Sequence, residues 1–174
     1  MGKRIQNGKG EKMKQIRLGV FETNSSSTHS LTVLGRQLQN SNLLVDEESF
    51  IHVSSGEYGW GYDRLISHYD KLSYLVTMMF ETDIGTYPLP DDAGKIYNCE
   101  AFQLLDQAVF EHTGNHIVLD EVDKEKNIVN IKGYIDHQST EGYIGLKDFL
   151  DSNQISVKEF VFGNTMMIIS NDNE

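Results

Sequence analysis

Two histidines and a run of hydroxyls are the groups in this chain best suited to chemistry. The run is Thr23-Asn24-Ser25-Ser26-Ser27-Thr28, and His29 closes it. Hydroxyls and an amide at consecutive positions gather several hydrogen-bond donors at one point, which suits an oxyanion, a phosphate or a nucleotide. A turn alone needs no such set, because Gly, Asn, Asp or Pro makes one more readily. Imidazole titrates near neutrality, so His29 has the chemistry of a general acid, a general base or a metal ligand. The competing reading is a loop whose hydroxyls cap a nearby helix or strand end, with His29 hydrogen-bonded at a strand start. No Gly-x-Ser-x-Gly elbow marks any of these serines as a nucleophile.

Three further polar segments accompany the run. In Gly56-Glu57-Tyr58-Gly59-Trp60-Gly61, glycines allow a ligand close to the backbone. Glu57 offers a carboxylate, and Trp60, the only tryptophan, offers a face on which a base can stack. The alternative there is a glycine turn with an aromatic lid over the core. In Gly133 to Ser139, Asp136 and His137 are adjacent and would point to opposite faces of a strand. If the strand stops at Ile135, both residues turn toward a site together with Gln138. His137 is then the partner of His29 in an acid/base pair, with Asp136 or Glu57 orienting one imidazole. The last segment, Ser170 to Glu174, brings Asn171 and Asp172 to a sheet edge if the strand before it is central; otherwise it is a frayed terminus. No HExxH or similar spacing supports a metal, so neither a metal nor a cofactor is assigned. His52, His68, His112 and His116 are expected on the surface or on helix flanks.

The elements that must position these segments are mixed. Alternation predicts strands over 15–22, 29–34, 50–53, 116–119, 127–135 and 166–169, the first two forming a hairpin around the serine run. Leu72, Leu75, Val76, Met79 and Phe80 follow the i, i+3, i+4 spacing of a buried stripe, in a helix expected over 63–81. Phe102, Leu105 and Val109 predict a second helix over 99–112, with Gly114 suited to its C-terminal cap. Short helices are expected over 146–151 and 157–162, and a loop over 83–98. The reading is one α+β domain, a mostly antiparallel sheet with two main helices packed on it.

Length and charge bound the function. A chain of 174 residues fits one domain with a real core. A single cysteine, Cys99, excludes an internal disulfide and any multi-cysteine zinc site. No apolar run reaches membrane-spanning length and no signal-peptide pattern is visible, so the expected compartment is the cytoplasm. Residues 1–20 carry six Lys/Arg against one Glu, while the rest carries nine basic and 25 acidic residues. So acidic a body argues against direct nucleic-acid binding through the phosphate backbone. It is compatible with a decoy for a nucleic-acid-binding protein. Residues 1–12 read as a disordered basic tail, leaving 13–174 as the domain.

The phrases VFETNSSSTHS, GEYGWG, DKLSYLVT, GYIDHQS and FVFGN followed by NDNE resemble a family of proteins encoded by tailed bacteriophages and prophages. The likeness spans about Met13 to the C-terminus and makes Met13 the expected ancestral start. It implies action inside an infected bacterium and lends no catalytic role. An accessory phage protein of this kind acts on host defence or metabolism by one of three routes. The first is a transferase or hydrolase working on a phosphate-bearing small molecule such as a nucleotide. The second is an acidic inhibitor that blocks a host protein without chemistry. The third is a sponge that sequesters a nucleotide signal.

Overall fold

The computed structural model describes residues 14–17, 27–33, 43–59, 61–85, 93–136 and 145–171, with backbone alone at 14–17, 27–30, 33 and 171. The fold is α+β. Its main sheet is antiparallel, with strands β1 (Lys14–Arg17), β2 (Ser27–Val33), β10 (Thr165–Asn171) and β5 (Asp63–Leu65) side by side in that order. The expected hairpin forms, with Ile16 opposite Leu31. Three smaller pairs complete the strands. β3 (Phe50–Val53) runs parallel to β6 (His116–Leu119), and β4 (Glu57–Tyr58) runs parallel to β9 (Tyr134–Ile135). β7 (Val122–Asp123) pairs antiparallel with β8 (Ile128–Val129).

Helix α1 (His68–Met79) occupies the centre, and every residue from Lys71 to Phe80 is buried. The expected stripe of Leu72, Leu75, Val76, Met79 and Phe80 is fully buried, and so is Met78. Each such side chain contributes about 1.5–3 kcal/mol by leaving water. A helix buried all round must also satisfy its polar residues. Ser73 donates to the carbonyl of Ser54 at 2.7 Å, and Thr77 donates to the carbonyl of Ser73 at 2.8 Å. The Thr77 hydroxyl also accepts the Gly56 N–H at 2.8 Å. Tying the helix to residues 54–56 is therefore the work of its polar side chains.

Several element boundaries differ from expectation; β2 already starts at Ser27, inside the serine run, and β10 extends over Thr165–Asn171. α1 starts at His68, not at position 63, because Leu65 buries itself by pairing opposite Met167 and Ser67 caps the helix through the Asp70 N–H at 3.0 Å. The same helix runs on into a π-helical turn, Phe80–Ile84, ended by Gly85 at φ 81°. The segment 83–98 is not all loop, since α2 (Ala93–Asn98) turns Ala93 and Ile96 into the core. The single strand expected over 127–135 is two short ones, β8 and β9, with Asn127 turning at φ 53° just before β8.

Helix α3 (Glu100–Thr113) buries Phe102, Leu105 and Val109 and ends on Gly114 at φ 79°, as its sequence predicts. Helices α4 (Leu146–Ser152) and α5 (Val157–Phe162) bring Phe149 and Phe160 against Tyr74 of α1, with ring centroids 6.0–6.2 Å apart. The basic stretch 1–12 lies outside the described residues.

Candidate functional site

Strand registers place the polar segments next to one another in two pairs. In the β2–β10 ladder Ser27 is opposite Asn171, Thr28 opposite Ser170 and His29 opposite Ile169. The end of the serine run and the start of the C-terminal polar run are thus neighbours. In the β4–β9 ladder Glu57 is opposite Tyr134 and Tyr58 opposite Ile135. The Asp136 N–H continues that ladder to the Tyr58 carbonyl at 2.9 Å. The Glu57 loop and the Asp136 turn are therefore neighbours too. Residues 59–62 connect the pairs, because β5 follows them and sets Asp63 opposite Ile169. Ile169 is flanked in the sheet by His29 on one side and Asp63 on the other.

Glu57 is exposed and Asp136 half-buried. Strand β9 stops at Ile135. Thr23, Asn24, Ser25, Ser26, Trp60, His137, Gln138 and Asp172 lie outside the described residues, and Ser27, Thr28, His29 and Asn171 are placed by backbone only. The structure adds acids near these segments that sequence reasoning did not single out. Burial pushes the half-buried Asp63 carboxyl upward. Glu81, in the π turn, is pushed up by burial and partly drawn back by a hydrogen bond from the Ile135 backbone. Tyr58 is a buried phenol raised to about 12, chiefly by desolvation. It donates to the Ser73 hydroxyl at 3.0 Å and stiffens the start of the glycine loop.

A second polar cluster sits where the parallel strands β3 and β6 end, the usual place for functional groups in parallel sheets. Ser54 and Ser55 follow β3, and Asp120 and Glu121 follow β6. The Ser54 hydroxyl donates to Asp120 at 2.6 Å, and the Ser55 hydroxyl donates to Glu121 at 2.6 Å. Glu121 also accepts the Ser55 N–H at 2.5 Å, and its other oxygen, Oε2, is buried with no hydrogen-bond partner among the described residues. His52 bridges two acids, with Nδ1 at 2.8 Å from Asp120 and Nε2 at 3.0 Å from Asp46. This is no nucleophilic triad, because Ser54 reaches the carboxylate and both imidazole nitrogens are occupied. The sequence held only a faint signal for it, namely two serines after one strand and two acids after another.

The other described histidines make local ring contacts, although the buried Nε2 of His68 has no hydrogen-bond partner among the described residues. His68 begins α1 half-buried, with its ring edge-on to Phe162 at 5.1 Å. His112 stacks on Phe162 at 3.9 Å in the last turn of α3, and His116 stacks on Phe110 at 4.4 Å. Among the described residues no group of three or more His, Cys, Asp or Glu is placed to hold a metal ion. No described helix is long and apolar enough to cross a membrane. A cleft of about 640 Å³ runs between α3 and the α4–α5 region, floored by Leu104, Leu150 and Val157, and none of the residues singled out above lines it. No family model, curated protein or solved structure matches the chain.

Proposed function

We propose that this chain binds a phosphate-bearing small molecule, of the nucleotide class, where the serine run meets the ends of β10 and β5. The observation that carries the reading is the register that sets Ser27 opposite Asn171 and His29 beside Ile169, with Asp63 on the far side. It supports a shared locus for the serine run and the C-terminal polar run, while the Glu57 loop and the Asp136 turn form a pair of their own. In this reading Ser25 to Thr28 hold the anion, and Thr23, Asn24, Gln138, Asn171 and Asp172 complete its polar lining. Trp60 stacks on the base. His29 and His137 move protons, and Asp136 or Glu57 orients an imidazole, so that a transferase or hydrolase is the enzymatic form of the proposal. The sequence resemblance supports an accessory role in a phage-infected cell.

Equilibrium dialysis against a panel of mono-, di- and cyclic nucleotides tests binding, and chromatography of the same mixtures tests turnover. Binding with altered nucleotides supports the enzyme, and binding with nucleotides returned intact supports the sponge. His29→Ala with His137→Ala is expected to abolish turnover and leave the bound fraction within a few-fold. Absence of binding across the panel rejects the pocket and leaves the acidic inhibitor. Pull-down from a host lysate then tests that reading.

A further inference from the structure

We propose that His52 is a protonation-dependent latch fastening the turn at residues 46–49 to the end of the β3–β6 pair. The latch joins three stretches of chain. Asp46 precedes β3, His52 lies within it, and Asp120 follows β6. Both ring nitrogens are within hydrogen-bond distance of a carboxylate oxygen, Nδ1 at 2.8 Å and Nε2 at 3.0 Å. A carboxylate only accepts, and a neutral imidazole carries one N–H, so both contacts together require the imidazolium. Asp120 and Asp46 both favour that form and raise the proton affinity of His52. They are the charged groups that act on it; Glu47 and Glu48 belong to the same turn, and its partner across the ladder is the apolar Val118.

Losing the proton turns one contact into a lone pair facing a carboxylate. The contact to Asp120 is the shorter of the two, 2.8 Å against 3.0 Å, so the remaining proton stays on Nδ1. The Asp46 arm therefore opens. The turn behind it is held by short-range bonds of its own, among them the Asp46 N–H to the Phe50 carbonyl at 2.9 Å and the Ser49 N–H to the Asp46 carbonyl at 3.2 Å. Asp46 Oδ1 accepts the N–H groups of Glu48 at 2.9 Å and Phe50 at 2.8 Å, and Ser49 sits at φ 69°, a costly conformation for a residue other than glycine. Opening loosens the outer edge of β3, which among the described residues an isolated bridge between Val45 and Ile51 covers. Leu44 beside it is 89% exposed. His116 provides the contrast. It has one carboxylate, Asp106 at 2.8 Å from Nδ1, and a neutral imidazole with the proton on Nδ1 keeps that bond.

The test is an NMR pH titration of the intact chain with labelled histidine, alongside amide exchange. His52 is expected to titrate above about 6.5, the ordinary imidazole value, with both nitrogens protonated below that midpoint. Exchange at Glu48 and Phe50, corrected for its intrinsic rise with pH, is expected to accelerate through the same midpoint. Ile117, whose N–H is held by Asp106 beside His116, serves as the reference that does not respond. Asp46→Asn keeps an acceptor for the turn but removes one charge, so the His52 midpoint falls and the pH response of Phe50 fades. A His52 midpoint at or below about 6.5, or exchange at Glu48 and Phe50 that tracks Ile117, overturns the latch. The wild-type titration decides the matter by itself if the variant does not fold.

Discussion

The Nζ atom of Lys71 lies 3.2 Å from the backbone carbonyl oxygen of Thr165, deep in the core. Its other described partners are also neutral oxygens, the carbonyl of Gly163 at 3.2 Å and the Thr165 hydroxyl at 3.3 Å. Lys71 thus closes the C-terminal end of α5 from a different helix and pins the first residue of β10. That strand carries Ile169 and Asn171 into the candidate site, so this buried lysine is part of what positions it.

Burial lowers the Lys71 pKa to about 8, from 10.5. Between those values the folded chain binds fewer protons than the unfolded one, so this group makes stability rise with pH through about 8 to 10.5. The full effect is on the order of 3 kcal/mol. Lys71→Met removes the titration and leaves buried carbonyls unpaired, at about 1–3 kcal/mol. Urea denaturation at several pH values is expected to show the variant less stable at neutral pH and its deficit growing toward pH 10. A deficit that shrinks with rising pH contradicts the assignment.

Ser55 is the hinge between the two parallel pairs. Its hydroxyl donates to Glu121 and accepts the Gly133 N–H at 2.8 Å. Ser55→Ala leaves that N–H without its partner and is expected to cost about 1–3 kcal/mol. Gly133→Ala is expected to cost at least as much for a steric reason. An added Cβ would stand 2.5 Å from the Ser55 Cβ and 2.6 Å from the Gly56 backbone. Thermal denaturation measures both losses. A Gly133→Ala protein as stable as wild type would falsify the close approach of these two loops.

What could be read from the residues follows from range. The stripe of α1 is local and periodic, and Leu72 to Phe80 are buried as expected. Asp63–Leu65 is too short to show a strand period, so only its pairing with β10 reveals it. Ser27 and Asn171 stand at opposite ends of the chain, and their adjacency hung on whether β10 is central, which it is. The Ser54–Asp120 contact spans 66 residues and depends on a parallel pairing that no turn signal announces. His52 therefore passed for a surface residue. It is indeed exposed, but held by two acids.

Cys99 caps α3, with its sulfur accepting the Phe102 N–H at 3.3 Å. Burial pushes its thiol up. Two outcomes follow. Labelling with a maleimide at pH 7 is expected to be slower than for a free thiol, because the thiolate is the nucleophile. Cys99→Ala is expected to lose about 1 kcal/mol of stability, whereas Cys99→Ser supplies a better capping oxygen and is expected to equal or exceed wild type. If alanine and serine variants melt together, the cap contributes nothing.

Asp63 faces the candidate site from the other side of Ile169. Adjacent strands lie about 4.8 Å apart, so positions 29 and 63 are separated by about 10 Å. At that distance a carboxylate and a bound anion repel by about 1 kcal/mol for an effective dielectric between protein and water. Asp63→Asn is therefore expected to tighten nucleotide binding about fivefold at neutral pH. The sign with pH follows from its environment. Burial holds this carboxyl above the usual carboxylate range, so it becomes neutral early as the solution is acidified. Wild-type affinity should climb toward that of the variant as pH falls through the Asp63 pKa, and the two should meet below it. The second proton of a phosphate monoester, near pH 6, affects both proteins alike, so their difference isolates Asp63. Calorimetric titration from pH 4.5 to 8 measures it. A difference that stays constant with pH, or a variant that binds more weakly, places the anion away from the Ile169 end of the sheet.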